Sequence, residues 1–528
     1  MIALNLNFPS WASAIIAVAL LGGGCSEQGA GNDAAREHGK RPPDIVLFLF
    51  DDAGFSDISA FGGEVSTPTI NRLAREGVLV PRFYTAARCS PTRAGILSGL
   101  HPHSVGMADL AGYRFATGLP AYSGRLPRDV PLLTEKLRAS GYRNYLQGKW
   151  HLGGGNGLED DPEYSTMPNL RGFDHYVGIL QGQANPYPVS GRRSSYLHNG
   201  EAVPVDRDWY SLSGLNDLTL ELLARDFAQH PSQPVFIFVA SQAPHKPVAA
   251  PDALVEKYRS IYNAPLETIW TARVEGLQER GLLPATAGFE PPLFNDKQTR
   301  LIRESAPARA AMIEAADAEL GRLLDFLEVE GRLDNTLVLV ASDNGASTET
   351  ARLTNAPFRG AKGKLWEGGT RSSLVAWWPS GGLQCGCIVD AMTSYLDLFP
   401  TVLAAAGDGG AGGGEYPGRN LLGMLQGERL RPPDHFFWNL YGSSAVLFQG
   451  RWKLVVNGHY DEERERLEQP DDLMLFDLYR DPAETRNIAP GHRELVDSLY
   501  ATYQAWARRH SVVPNYRVQE AYEANRRR

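Results

Sequence analysis

Cysteine is scarce in this chain of 528 residues: four occur, at positions 25, 89, 385 and 387. That excludes a scaffold built from disulfides. An excess of positive charge is absent too, with 52 Lys and Arg against 61 Asp and Glu, a formal net charge of −9 and a pI near 5.8. No long run of like charge appears, so the chain has little with which to neutralise a phosphate backbone, and nucleic acid is not expected as a partner. Long apolar runs are missing: none reaches the roughly 20 residues that a membrane-spanning helix needs. Internal repeats are missing as well, which sets aside repeat architectures.

The N-terminus has an apolar stretch from Trp11 to Leu21, then Gly22-Gly23-Gly24-Cys25, then a polar segment up to about Arg36. It is too short to span a bilayer and fits the apolar part of a secretory signal, so export to the periplasm or cell surface is expected. The small residues before Cys25 resemble a bacterial lipoprotein cleavage box, which would make Cys25 a lipid anchor. Against this, no Lys or Arg precedes Arg36, and Gly22 stands where such boxes usually carry Leu. A lipid-anchored and a plain leader both stay open. For Cys385 and Cys387, a bond across one intervening residue and two packed free thiols are equal alternatives.

The chain exceeds the roughly 250 to 300 residues at which single cores stop growing, so one large and one smaller domain are expected. Apolar runs Ile45 to Phe50, Val235 to Ala240 and Thr336 to Ala341 end abruptly in polar motifs and read as buried parallel strands. Helical patterns lie between them, at Thr69 to Glu76, Val130 to Ser140, Leu218 to Gln229 and Ala310 to Glu328. The alternation predicts an α/β fold, a large, mostly parallel sheet covered by helices on both faces, with ligands beyond the carboxyl ends of its strands. After about Leu430 short aromatic and β-branched runs take over (His435 to Leu440, Ala445 to Phe448, Trp452 to Val456, Leu473 to Leu478), followed by a helix from His492 to Arg509. These predict a smaller antiparallel sheet with a packed helix. The expected division is a leader over residues 1–40, a catalytic domain over 41–425 and a C-terminal α+β subdomain over 426–528. The Gly-rich segment Gly407 to Gly414 is the expected linker, and the tail after Val513 a solvated extension.

Asp51 and Asp52 stand side by side at the end of the first buried strand, where unpaired charge is costly and a divalent cation would relieve the cost. Asp343 and Asn344 follow another buried strand and add a carboxylate and an amide oxygen. Oxygen donors suit Ca²⁺ or Mg²⁺ better than zinc. Singly, Asp-Asp-x-Gly and Asp-Asn-Gly are more often turns; both at strand ends, they favour metal. Cys89-Ser90-Pro91-Thr92-Arg93 puts a cysteine at the expected start of a helix, where backbone N–H groups and the dipole favour an anion. Alone, Lys149 reads as a surface lysine, His245 as a loop histidine and Lys362 as a solvated charge. His101, His103 and His175 read as structural.

The Cys-x-Pro-x-Arg motif at 89–93, extended by Ala94-Gly95-Ile96-Leu97-Ser98-Gly99, resembles the signature of the type I, formylglycine-dependent sulfatases of the alkaline phosphatase superfamily. The resemblance runs from about Pro43 to Ala489. It includes Asp51-Asp52-Ala53-Gly54, Gly148-Lys149-Trp150-His151, Gly172-Phe173-Asp174, Ala243-Pro244-His245, Ser342-Asp343-Asn344-Gly345, Lys362 with Glu367-Gly368-Gly369, and Leu475-Phe476-Asp477-Leu478 with Asp481-Pro482. It implies an alkaline phosphatase-like fold and hydrolysis of sulfate monoesters, aryl or carbohydrate. Cys89 would be converted to formylglycine (3-oxoalanine) by a formylglycine-generating enzyme, and one hydroxyl of its hydrate would attack sulfur. Asp51, Asp52, Asp343 and Asn344 would bind Ca²⁺, with Mg²⁺ as the alternative, together with the modified residue 89. Arg93 and Lys149 would stabilise the charged diol, and Asp343 would accept the nucleophile's proton. Lys362 and His245 would bind sulfate and protonate the leaving oxygen, and His151 would take the proton that lets sulfate depart by elimination. Two rivals stand beside this: a phosphonate or phosphodiester hydrolase using the same nucleophile, and a catalytically silent surface protein that holds sulfated glycans.

Overall fold

In the computed structural model, residues 41–526 are described apart from 112–117, 154–165, 190–194, 286–287, 409–415, 432, 441–442, 458–459, 462–465 and 468–471. The expected leader, with Cys25, and most of the Gly-rich linker lie outside the described residues. Among the described residues no helix is long and apolar enough to cross a membrane.

Strand β1 (Asp44–Phe50) is buried along all seven residues, as its unbroken apolar run requires. Its side chains alternate between two cores: Ile45, Leu47 and Leu49 face one, and Val46, Phe48 and Phe50 the other. Around it the sheet assembles from β2 (Val78–Tyr84), β3 (Arg143–Lys149), β4 (His175–Ile179), β5 (Leu197–His198), β6 (Glu201–Ala202), β7 (Val235–Ala240), β8 (Thr336–Ser342), β9 (Arg371–Trp377), β10 (Cys387–Ile388) and β11 (Thr393–Ser394). The order is β10-β2-β9-β8-β1-β7-β3-β4-β5-β6, with β11 also on β2. Pairing is parallel from β8 through β4, whereas β9 runs antiparallel to both its neighbours.

Helices cover both faces. One core takes in α2 (Cys89–Ser98) and α3 (Leu133–Ala139) through Ile96, Leu97 and Leu137. The opposite core takes in α1 (Pro68–Glu76), α4 (Ser211–Gln229), α5 (Asp252–Ile261), α6 (Leu266–Glu279) and α7 (Asp296–Val329). The fold is therefore the α/β sandwich the sequence predicts. Helix α7 is longer than its pattern: it starts at a capping box of Asn295 and Gln298 and runs through Pro307, where the sequence suggested a helix only from Ala310.

The second sheet holds β12 (His435–Leu440), β13 (Ser443–Phe448), β14 (Trp452–Val456) and β17 (Leu473–Asp477) in that order, all antiparallel. A hairpin of β15 (Tyr460–Asp461) and β16 (Arg466–Leu467) lies between the last two. One face, with Trp438, Ala445, Leu447, Val455 and Phe476, shares the core of the main sheet. The other, with Val446, Leu454 and Leu475, packs on Val496 and Leu499 of the helix Arg493–Arg509. Cys385 and Cys387 are joined as a disulfide. The tail departs from expectation: residues Asn515–Arg526 form a helix, and Val518 is buried against Ala108, Ala121 and Tyr122. One apolar anchor in a charged stretch is enough to seat it, and such an anchor leaves no periodic signal.

Candidate active site

Strands that run parallel deliver their last residues to one edge of the sheet, and the polar motifs meet there. Asp51 and Asp52 leave β1, Lys149 ends β3, and Asp343 and Asn344 leave β8. The Asp51 N–H donates to Ala243 O at 2.9 Å, tying the turn after β1 to the one after β7 that carries His245, and the Asp343 N–H donates to Phe50 O at 3.0 Å. Asp52 (φ 71°) and His151 (φ 55°) adopt left-handed backbone that non-glycine residues rarely take, a strain characteristic of functional turns.

Cys89 opens α2, all ten residues of which are buried. Its turn is held by Thr92, whose hydroxyl donates to Asp343 O at 2.7 Å, and by Ser90, whose hydroxyl donates to His151 O at 2.8 Å. Arg93, fully buried, grips Asp343 Oδ2 with Nε at 3.1 Å and Nη2 at 2.9 Å while Nη1 donates to Lys149 O at 3.0 Å. Lys149 Nζ lies 2.6 Å from Asp51 Oδ2, and Lys362 Nζ 2.7 Å from Asp52 Oδ1. His245 Nδ1 donates to Lys246 O at 2.6 Å, which leaves Nε2 facing Asp52 Oδ2 at 3.8 Å. The His151 ring lies against the backbone of Gly182, where a Cβ would come within 2.7 Å of it. The structure thus brings Cys89, Arg93, Lys149, His151, His245, Asp343, Lys362, Asp51, Asp52 and Asn344 into one cluster. By contrast, His101 and His103 pack on Trp506, and His175 pairs with Asp226.

The donor set fits a cation. Ligand atoms of Asp51, Cys89 and Asp343 lie within 4.8 Å of one another, as do those of Asp51, Asp52 and His245. Asp51 Oδ1 and Asn344 Oδ1 are buried without a hydrogen-bond partner, a costly condition that an oxygen-seeking ion removes. The electrostatics agree. Burial and the charge of Asp51 push the Asp343 carboxyl well above the usual range despite Arg93, as expected for packed carboxylates awaiting a counter-charge. Burial opposes ionisation of Asp51 and Asp52, yet the positive charges of His245 and Lys149 on the first, and of Lys362 and His245 on the second, hold both below the usual range. Cys89 follows the same balance: burial raises it, and Lys149 and Lys362 more than reverse that. Burial and Lys149 keep His151 neutral, able to accept a proton.

The sequence profile described as Sulfatase matches residues 43–408. The chain belongs to the sulfatase family. An uncharacterized sulfatase of Schizosaccharomyces pombe is 29% identical, covering 87% of this chain and 92% of its own. The N-acetylgalactosamine-6-sulfatase of Sus scrofa is 28% identical over 87% and 84%, and the arylsulfatase of Klebsiella aerogenes 30% identical over 58% and 66%. Among solved structures, a sulfatase from Pseudoalteromonas superposes with a TM-score of 0.61 at 19% identity, covering 90% and 92%. Another, described in complex with its substrate D-glucosamine-2-N,6-O-disulfate, has a TM-score of 0.61 at 19% identity over 89% and 98%. The sulfatase is a sulfuric ester hydrolase of alkaline phosphatase-like fold, in a family that works with a formylglycine and a metal ion.

Sequence reasoning passed over Arg309. Buried on α7, it donates from Nη2 to Asp52 O at 2.8 Å and from Nη1 to Pro244 O at 3.1 Å, so it ties together the turns that carry Asp52 and His245. Its signal was present: a lone arginine within the apolar stretch Ala306 to Ile313 must find buried acceptors.

Proposed function

We propose that the sulfatase hydrolyses aryl or carbohydrate sulfate monoesters through a formylglycine hydrate made from Cys89, with Ca²⁺ held by Asp51, Asp52, Asp343, Asn344 and residue 89. The observation that carries this is the Cys89 thiol set beside two carboxylates inside a ring of Arg93, Lys149 and Lys362. When present, the aldehyde hydrate supplies an oxygen nucleophile and the ion polarises the sulfate. The other steps belong to side chains. Lys362 and His245 hold sulfate oxygens, and His245, with Nδ1 tied to Lys246 O, donates from Nε2 to the leaving oxygen. Arg93 fixes Asp343 so that its carboxylate faces the nucleophile and can take its proton. Lys149 offsets negative charge at residue 89, and neutral His151 accepts the proton whose loss releases sulfate.

Export and maturation by a formylglycine-generating enzyme belong to the same reading, as does a lipid anchor at Cys25 if the leader is of that kind. The test is a peptide mass spectrum across residue 89, from protein made with and without the maturing enzyme, alongside turnover of aryl sulfate, phosphate and phosphonate esters. A formylglycine mass whose fraction tracks sulfate turnover, with Cys89→Ala inactive, is the expected result. Full conversion with phosphonate turnover only, or unmodified cysteine with intact binding of sulfated glycan, overturns it.

A further inference from the structure

Three sequence motifs take no part in the chemistry above: Glu367-Gly368-Gly369, the Trp452-Lys453 pair on β14, and Asp481-Pro482-Ala483-Glu484 after β17. In space they converge. Lys453 Nζ, with no exposure, lies 2.9 Å from Glu367 Oε1 and 3.0 Å from Glu484 Oε1. Glu484 Oε2 accepts the Glu367 N–H at 2.6 Å, and the Tyr84 hydroxyl donates to Glu367 Oε2 at 2.9 Å. All three ionisable side chains are buried. Burial opposes the charge on Lys453, and the two carboxylates outweigh it; burial also lifts Glu484 to about 7.

Glu367 begins the short turn Glu367–Thr370, and each arm of the reactive cluster hangs on that turn or its neighbours. Gly369 O accepts the N–H of Gly345, next to Asn344, at 3.2 Å, and a Cβ on Gly345 would fall 1.8 Å from Gly368 O. Thr370 O accepts the Thr85 N–H at 2.7 Å, four residues before Cys89. Gly368 N–H donates to Arg359 O at 2.7 Å, and Gly363 N–H to Ala87 O at 2.9 Å, fixing the loop that carries Lys362. The turn is a wedge between the ion-binding loop, the nucleophile's approach and the lysine loop.

We propose that Glu367, Lys453 and Glu484 are positioning residues: a buried ion cluster by which the C-terminal sheet sets the spacing of Asp343–Asn344, Cys89 and Lys362. The proposal rests on the reading of those residues as ion, nucleophile and sulfate positions. Removing the Lys453 charge leaves the buried Glu367 carboxylate without its nearest cation and cuts the bridge from the turn it begins to Glu484 and β14, which frees that turn to shift.

The test is Lys453→Met, compared with Val446→Ala, which loosens the other face of the same small sheet without touching the cluster. Hydrogen exchange is read at the Thr85 and Gly345 amides, together with kcat and KM on a sulfate ester at a temperature where circular dichroism shows both variants folded. The expected result for Lys453→Met is exchange faster by about 10-fold or more at both amides and kcat lower by ~30-fold with KM within about 3-fold, since sub-ångström misplacement acts on the reacting geometry. Val446→Ala should leave both readouts near wild type. If Lys453→Met fails to fold, Lys453→Met/Glu484→Gln removes one of the buried carboxylates and carries the same comparison. Unchanged exchange and kcat, equal changes in Val446→Ala, or failure of both cluster variants to fold overturns the proposal. Exchange is read on protein with Cys89 unconverted, so this outcome is separate from failure of the formylglycine reading.

Discussion

Arg309→Met removes a cation and keeps the length and helix preference of the side chain, so α7 itself should persist. What is lost is specific. The carbonyls of Asp52 and Pro244, bonded at 2.8 and 3.1 Å, are left buried without their donor. Asp57 loses a neighbour at 3.5 Å but keeps Arg273 at 3.1 Å, so it is not orphaned. Each buried acceptor left without its donor costs about 1–3 kcal/mol and Asp57 keeps its nearer cation, so a total of ~2–6 kcal/mol is expected. With an unfolding entropy of roughly 2.1 cal/mol/K per residue over the ordered chain, about 1 kcal/mol/K, Tm should fall by ~2–6 °C. Function should suffer more than stability, because Asp52 is held at φ 71° by the turn whose carbonyl Arg309 grips. A displacement near 1 Å at such a group costs about 100-fold in kcat/KM. Scanning calorimetry at one scan rate and sulfate ester turnover measure both. A Tm within about 1 °C of wild type, with kcat/KM within about 3-fold, would refute the reasoning that Arg309 sets the Asp52 turn.

His151→Ala should permit transfer of sulfate to the enzyme but block its release; a rapid-quench experiment should show one burst equivalent of alcohol and then very slow turnover, and steady slow turnover without a burst would count against the assigned role. Gly345→Ala sets a methyl 1.8 Å from Gly368 O, backbone against backbone, so a loss of at least ~1–3 kcal/mol in stability and weaker binding of divalent cation by titration calorimetry are expected. Stability should fall as pH drops from 7 to 5. Burial and His510 hold His101 down to about 3, and burial holds His103 down to about 4. Below the ordinary value of about 6.5 the unfolded chain takes up protons that the folded state refuses, which costs up to about 1.4 kcal/mol per pH unit for each histidine. Denaturant titrations of wild type and His101→Phe/His103→Phe at both pH values should show a shallower pH slope in the double variant; equal slopes would contradict the assignment.

Much of the fold was legible because parallel strands buried on both faces must be apolar throughout, and the strands of the small antiparallel sheet are rich in aromatic and β-branched residues. Val235–Ala240, His435–Leu440 and Trp452–Val456 fall where their patterns place them. Boundaries were less legible where tertiary contacts decide, as at the start of α7, where the helical pattern suggested Ala310 and the capping box at Asn295 sets the true beginning. The reactive residues were legible only in part from local pattern: the acids at the ends of β1 and β8 suggested a cation and Cys89 a helix start, whereas Lys149, His245 and Lys362 read as ordinary loop charges and were picked out by the resemblance to the family's motifs. Arg309, Lys453 and Glu484 escaped because their partners lie far away in sequence: Arg309 meets Asp52 across 257 residues, and Lys453 meets Glu367 across 86. Lone charges in apolar company mark a need for partners without naming them.

If Cys89 is converted as proposed, the burial of α2 sets a clock on that conversion. Cys89 and the nine residues after it have no face left in the folded chain for a maturing enzyme to reach. Such an enzyme would have to meet this segment while it is still extended, and the turn at Glu367, if set by Lys453 and Glu484, would close only once Glu484 has been made. At about 5–20 residues per second, the roughly 400 residues between Cys89 and Glu484 leave a window of ~20–80 s. Slower synthesis downstream of Cys89 would lengthen it and raise the converted fraction; faster folding of the small sheet would shorten it.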